Sequence, residues 1–108
     1  MRYKTSLAPG TSALWYAACL RTFVAKTAKV GIAKDSEFVS LLTTAVRLGA
    51  TLDLIAKKGK VDRPTLGHWS AEAKTRRIPP DLRMRRRVRT AIRQILREKA
   101  RSIENECR

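Results

Sequence analysis

From Asp81 to about Glu104 the chain carries apolar residues on one side of a helical wheel and arginines on the other, and this stretch most constrains the fold. Met84, Val88, Ala91, Ile92 and Ile95 recur at helical spacing, with Leu96 and Ile103 at the margin of the stripe. Arg83, Arg86, Arg89, Arg93, Arg97 and Arg101 line the opposite face. A strand would scatter both sets over its two faces, so the segment is an amphipathic helix that must lay its stripe on something else.

The same period runs through the rest of the chain. Ser12 can cap a helix from Ala13 to about Lys29, with Tyr16, Ala17, Leu20, Phe23, Val24 and Ala28 on one face. Trp15 lies off that stripe and reads as an edge residue leaning on the core rather than as an interface anchor. Gly31 breaks the pattern. Asp35 and Ser36 offer caps for a helix from Glu37 to Leu48, and Gly49 reads as its left-handed stop. Thr51 to Lys58 is a short third helix ended by Gly59, and Asp62 to about Ala73 is a fourth, closed before Pro79 and Pro80. Met1 to Gly10 is a flexible lead. No strand-like alternation persists. The expected fold is all-α, a compact bundle of about five helices in one domain. Residues 13–48 would supply the N-terminal helices, 51–73 a helix-turn-helix and 80–104 the basic C-terminal helix.

Charge then narrows the partner. The chain holds 24 Lys plus Arg against 9 Asp plus Glu in 108 residues, a formal +15. Residues 1–54 contain 7 basic and 3 acidic side chains and residues 55–108 contain 17 and 6, so the excess lies in the second half. Charge on that scale opposes compaction unless a polyanion offsets it, and nucleic acid is the commonest one. Cys19, expected buried, and Cys107, expected exposed, make neither a disulfide framework nor a zinc spacing, which suits a reducing cytoplasm. No apolar run approaches the ~20 residues of a membrane span. His68 is the only histidine, and no metal cluster, cofactor motif, phosphate loop or nucleophile–base set is visible, so the chain does not read as an enzyme.

On the helix-turn-helix pattern, Ile55, Ala56, Val61, Leu66 and Trp69 fall at inward positions. Asp62 fits an N-cap with Arg63 and Pro64 in the first turn. Gly59 and Lys60 stand as if exchanged, with Gly where an apolar residue is usual and Lys where Gly usually turns. The outward positions of the second helix are Arg63, Thr65 and His68, followed by Glu72. Arg can bridge guanine O6 and N7, and Thr can touch a thymine methyl, so the first three are candidate base readers. Lys57, Lys58, Lys60, Lys74, Arg76 and Arg77 flank them as candidate phosphate ligands, joined by Arg86, Arg89, Arg93 and Arg97 of the last helix.

VDRPTLGHW (Val61 to Trp69) resembles the recognition segment of the lambda-type phage CII activators, and RRIPP (Arg76 to Pro80) resembles the segment just after the motif there and in many Cro/repressor-like phage regulators. The resemblance, confined to residues 51–80, implies a homo-oligomeric regulator that binds double-stranded DNA with Arg63, Thr65 and His68 facing the groove. Two other readings stay open. The arginine helix could bind RNA, as in an antiterminator or ribosome-associated factor. Alternatively the chain could be a small inhibitor docked on an acidic protein such as an RNA polymerase surface.

Overall fold

Each helix is set by its ends. In the computed structural model, which describes residues 9–29, 31–69 and 81–107, the elements are α1 (Pro9–Thr27), α2 (Asp35–Leu48), α3 (Leu52–Gly59), α4 (Arg63–Gly67) and α5 (Leu82–Glu106). The described residues contain helices and turns and no strand, so the fold is all-α.

The N-termini are satisfied by nearby side chains. Glu37 reaches back to the Lys34 N–H at 3.1 Å, so α2 begins at Asp35, two residues before the expected start. Thr51 accepts from the Leu54 N–H, Asp62 from the Thr65 N–H and Asp81 from the Met84 N–H, which fixes the starts of α3, α4 and α5. Gly49 closes α2 at φ 115°, as its sequence position suggests. It must be glycine twice over, because a Cβ there would also stand 2.8 Å from the Tyr16 hydroxyl. That hydroxyl donates to the Leu48 carbonyl and pins α1 to the end of α2.

Several expectations are corrected. Ser12 lies inside α1 rather than capping it, since the helix already includes Pro9 and Gly10 of the supposed lead, and Ala28 is exposed beyond its end. Trp15 does not lean on the core: it is 70 % exposed. The helix expected to run to Ala73 closes at Gly67, after which His68 and Trp69 form a turn; residues 70–73 lie outside the described region. Cys19 and Cys107 are both half-buried.

One core joins all five helices. Leu20, Phe38, Leu42, Ile55, Leu66, Val88, Ile92 and Leu96 are fully buried within it, and Trp69 meets Phe38 edge-on with ring centroids 6.1 Å apart. The inward positions inferred for the helix-turn-helix hold: Ile55, Ala56, Leu66 and Trp69 are buried and Val61 packs against them. α5 lies chiefly along α1, with α3 against its middle. Arg21 on α1 donates to both Glu104 oxygens near the end of α5, at 2.7 and 2.8 Å, and this contact raises the already high guanidinium pKa. No single described helix is long and apolar enough to cross a membrane.

Candidate nucleic-acid interface

The candidate interface comprises the end of α3 with the outer face of α5, which share one groove, and the start of α4, which follows three residues later in the chain. α3 ends at Gly59, and Lys60 takes the left-handed conformation (φ 56°) that turns the chain toward α4. The turn therefore spans residues 60–62, the length a helix-turn-helix requires. Its carbonyls point at α5, where Arg87 donates to the Gly59 oxygen at 2.7 Å and the Lys60 oxygen at 3.0 Å. A guanidinium in that place satisfies the unpaired end of α3 and fixes α3 to α5.

Of the three candidate base readers, only Arg63 stands exposed. Its Nε donates to Asp53 on α3 at 2.8 Å. Thr65 is half-buried, and its hydroxyl donates to the Asp62 cap at 3.1 Å. His68 is half-buried in the turn that closes α4. The structure thus does not bring the three onto one exposed face, because a single helical turn is too short to carry Arg63 and His68 outward together.

Among the candidate phosphate ligands, Lys57, Lys58, Lys60, Arg86 and Arg97 are exposed, while Arg89 and Arg93 are half-buried. The arginine face of α5 is therefore interrupted. The Arg93 Nε donates to the Val24 carbonyl in the last turn of α1 at 3.3 Å, so this residue ties two helices together. Lys74, Arg76 and Arg77 lie outside the described residues.

Two adjoining grooves run along the outer face of α5. One, of about 380 Å³, is lined by Lys58, Lys60, Arg86, Arg87, Thr90 and Gln94. The other, of about 300 Å³, shares Thr90 and Gln94 and continues past Arg93, Arg97, Glu98 and Arg101. Together they make a trough from Arg86 to Arg101, roughly 22 Å long at the helical rise. Its lining is cationic apart from the neutral Gly59, Thr90, Ala91 and Gln94 and a single carboxylate. The one carboxylate lining it among the described residues, Glu98, is met by Lys58 at 3.5 Å and by the Gln94 amide at 3.2 Å. Arg93, Arg97 and Arg101 recur every four residues, about 6 Å apart along the axis, so each can meet a separate phosphate of one chain.

Two further arginines of α5 escaped sequence reasoning. Arg85 is buried, with Nη1 on the Ile32 and Ala33 carbonyls at 2.9 and 3.0 Å, Nη2 on Asp35 at 2.5 Å, and the guanidinium over the Phe38 ring. Arg87 is the clamp on α3. For Arg85 helical phase was the available signal, since it sits three residues before Val88 and seven before Ile92, within the arc that faces the core.

Among the described residues no cluster of three or more His, Cys, Asp or Glu could hold a metal ion. Comparison with protein families, curated proteins and solved structures returns no match.

Proposed function

We propose that the chain is a regulator that binds double-stranded DNA, reading sequence from the start of α4 and holding the phosphate backbone along the trough on α5. The observation that carries this reading is the junction at Lys60. That residue lines the trough, and three residues later the exposed Arg63 opens the second helix of a capped helix-turn-helix. A phosphate-binding face thereby adjoins a base-reading side chain, the division of labour that sequence recognition needs. The likeness of Val61 to Trp69 to phage regulators adds to it and points to a phage or mobile-element origin and to action as a homo-oligomer on repeated half-sites.

RNA binding is the second reading, favoured by the concentration of exposed arginines on α5 and by the partial burial of Thr65 and His68. Fluorescence anisotropy at physiological salt separates the two, with duplexes drawn from a random-core library by selection, shuffled duplexes and a structured RNA as probes. A preference of roughly 10³-fold for the selected duplex is expected. Equal binding to all three, collapsing as salt rises, would reject sequence reading, and preference for the RNA would establish the alternative. Deleting α5 is no test, because Val88, Ile92 and Leu96 form the core.

A further inference from the structure

Arg63 is held on one side and given room on the other. From α3, the Asp53 carboxylate accepts from Nε at 2.8 Å. From one turn further along α4, Gly67 leaves open the space in which Nη1 lies; a Cβ at that position would stand 3.0 Å from it. The Asp53 side chain is 85 % exposed, so the ion pair adds little to stability. Its effect falls instead on the conformation of Arg63. With Nε engaged, Nη1 and Nη2 make no hydrogen bond among the described residues and remain together as a planar pair of donors. Two parallel N–H groups match guanine O6 and N7. An arginine already biased toward that attitude loses less rotamer freedom on binding.

We infer that Asp53 and Gly67 are positioning residues that pre-orient the Arg63 guanidinium for guanine, so that α3 helps to choose a base without touching it. The inference rests on the DNA-reading proposal above. It carries an unusual signature, because Asp53 is also a negative charge beside a cationic surface. Removing that charge should strengthen sequence-independent binding while weakening base choice, two effects of opposite sign that general loss of structure cannot produce.

The test is selection from a duplex library with a random core, using the full chain as wild type, Arg63→Ala, Asp53→Asn and Gly67→Ala, with anisotropy on one mixed-sequence duplex in parallel. The wild type is expected to enrich a motif with at least one guanine column of roughly tenfold preference or more. Arg63→Ala should erase one such column. Asp53→Asn and Gly67→Ala should flatten that same column several-fold and leave the others intact, and Asp53→Asn should bind the mixed duplex at least as tightly as the wild type. If Arg63→Ala erases the column while both other variants keep it, the positioning role is wrong and the DNA-reading proposal stands. If the wild type enriches no motif, or Arg63→Ala leaves it unchanged, both fall. Gly67→Ala introduces no charge change, so agreement between it and Asp53→Asn excludes an effect of charge alone.

Discussion

Lys60 occupies the left-handed region at φ 56° and ψ 49°, while its neighbour Gly59 keeps the helical conformation and does not need a glycine's freedom. A Cβ on Gly59 would meet the Ala91 Cβ at 3.6 Å and Val61 Cγ2 at 3.7 Å, ordinary van der Waals contacts. The apparent exchange of the two residues is thus real and leaves stability unused. Gly59→Ala should add about 0.5–1 kcal/mol through helix propensity and a buried methyl. Lys60→Gly should add up to about 1 kcal/mol by removing the left-handed cost. Urea unfolding of each variant checks this, and an unchanged or lower midpoint for Lys60→Gly would show that the turn carries no strain. Arg85 is the opposite case, a charge the fold cannot lose. Arg85→Met strips partners from two carbonyls and from Asp35, and should cost about 2–4 kcal/mol. Arg85→Lys should recover only part of it, because one ammonium cannot reproduce the fork. A midpoint for Arg85→Met equal to that of the wild type would reassign Arg85 to the surface.

Within α5 the arginines divide, by the partners they meet, into those that build the fold and those that face solvent. Arg85, Arg87 and Arg93 bond to carbonyls at the α1–α2 connection, the end of α3 and the end of α1 respectively. Arg97 and Arg101 stand exposed on the trough rim. The pair Arg97→Ala/Arg101→Ala should therefore lower the slope of log affinity against log salt by about 2 on duplex DNA without lowering the urea midpoint. Arg93→Ala should weaken DNA binding on every sequence and also lower that midpoint, by about 1 kcal/mol for the lost helix-end hydrogen bond. A matching midpoint loss in the double variant would mean that the rim arginines also hold the fold. The helix count, the cap at Asp62 and the inward residues of the helix-turn-helix were legible in the sequence, because period and cap chemistry are local, whereas Thr51 was read as part of α3 and proves to be its cap. The tasks of Arg85 and Arg87 were not, since each depends on a carbonyl at least 27 residues away in sequence. The early start of α1 was hidden as well: Pro9 and Gly10 signal a turn locally, yet they stand in the first turn of the helix. Thr65 was read as outward from its phase alone, which could not register that its hydroxyl would turn back to the Asp62 cap.

For the molecule as a whole, the decisive quantity is a net +15 on 108 residues. The described carboxylates that could offset it are partly committed: Asp53, Glu98 and Glu104 each already meet a cation. The remaining positive charge gathers where α3 and α5 adjoin, so self-repulsion acts across the same surface that the proposed ligand would cover. Folding and polyanion binding are then linked, since any anion that occupies the trough of the folded chain removes repulsion that the expanded unfolded chain feels less. Two consequences can be measured by differential scanning calorimetry. Raising sodium chloride from about 0.05 to about 0.5 M should raise the unfolding temperature by several degrees, on the order expected for about 1 kcal/mol in a domain of this size, because screening relieves repulsion between like charges. Adding a mixed-sequence duplex at low salt should raise it at least as much, and that second gain should vanish at about 0.5 M as the duplex dissociates. The two effects are therefore not additive: salt substitutes for DNA as a source of stability. A melting temperature that falls with salt would show instead that exposed pairs such as Arg21–Glu104 and Lys58–Glu98 outweigh the net repulsion. The trough would then be a surface the protein holds at no electrostatic cost.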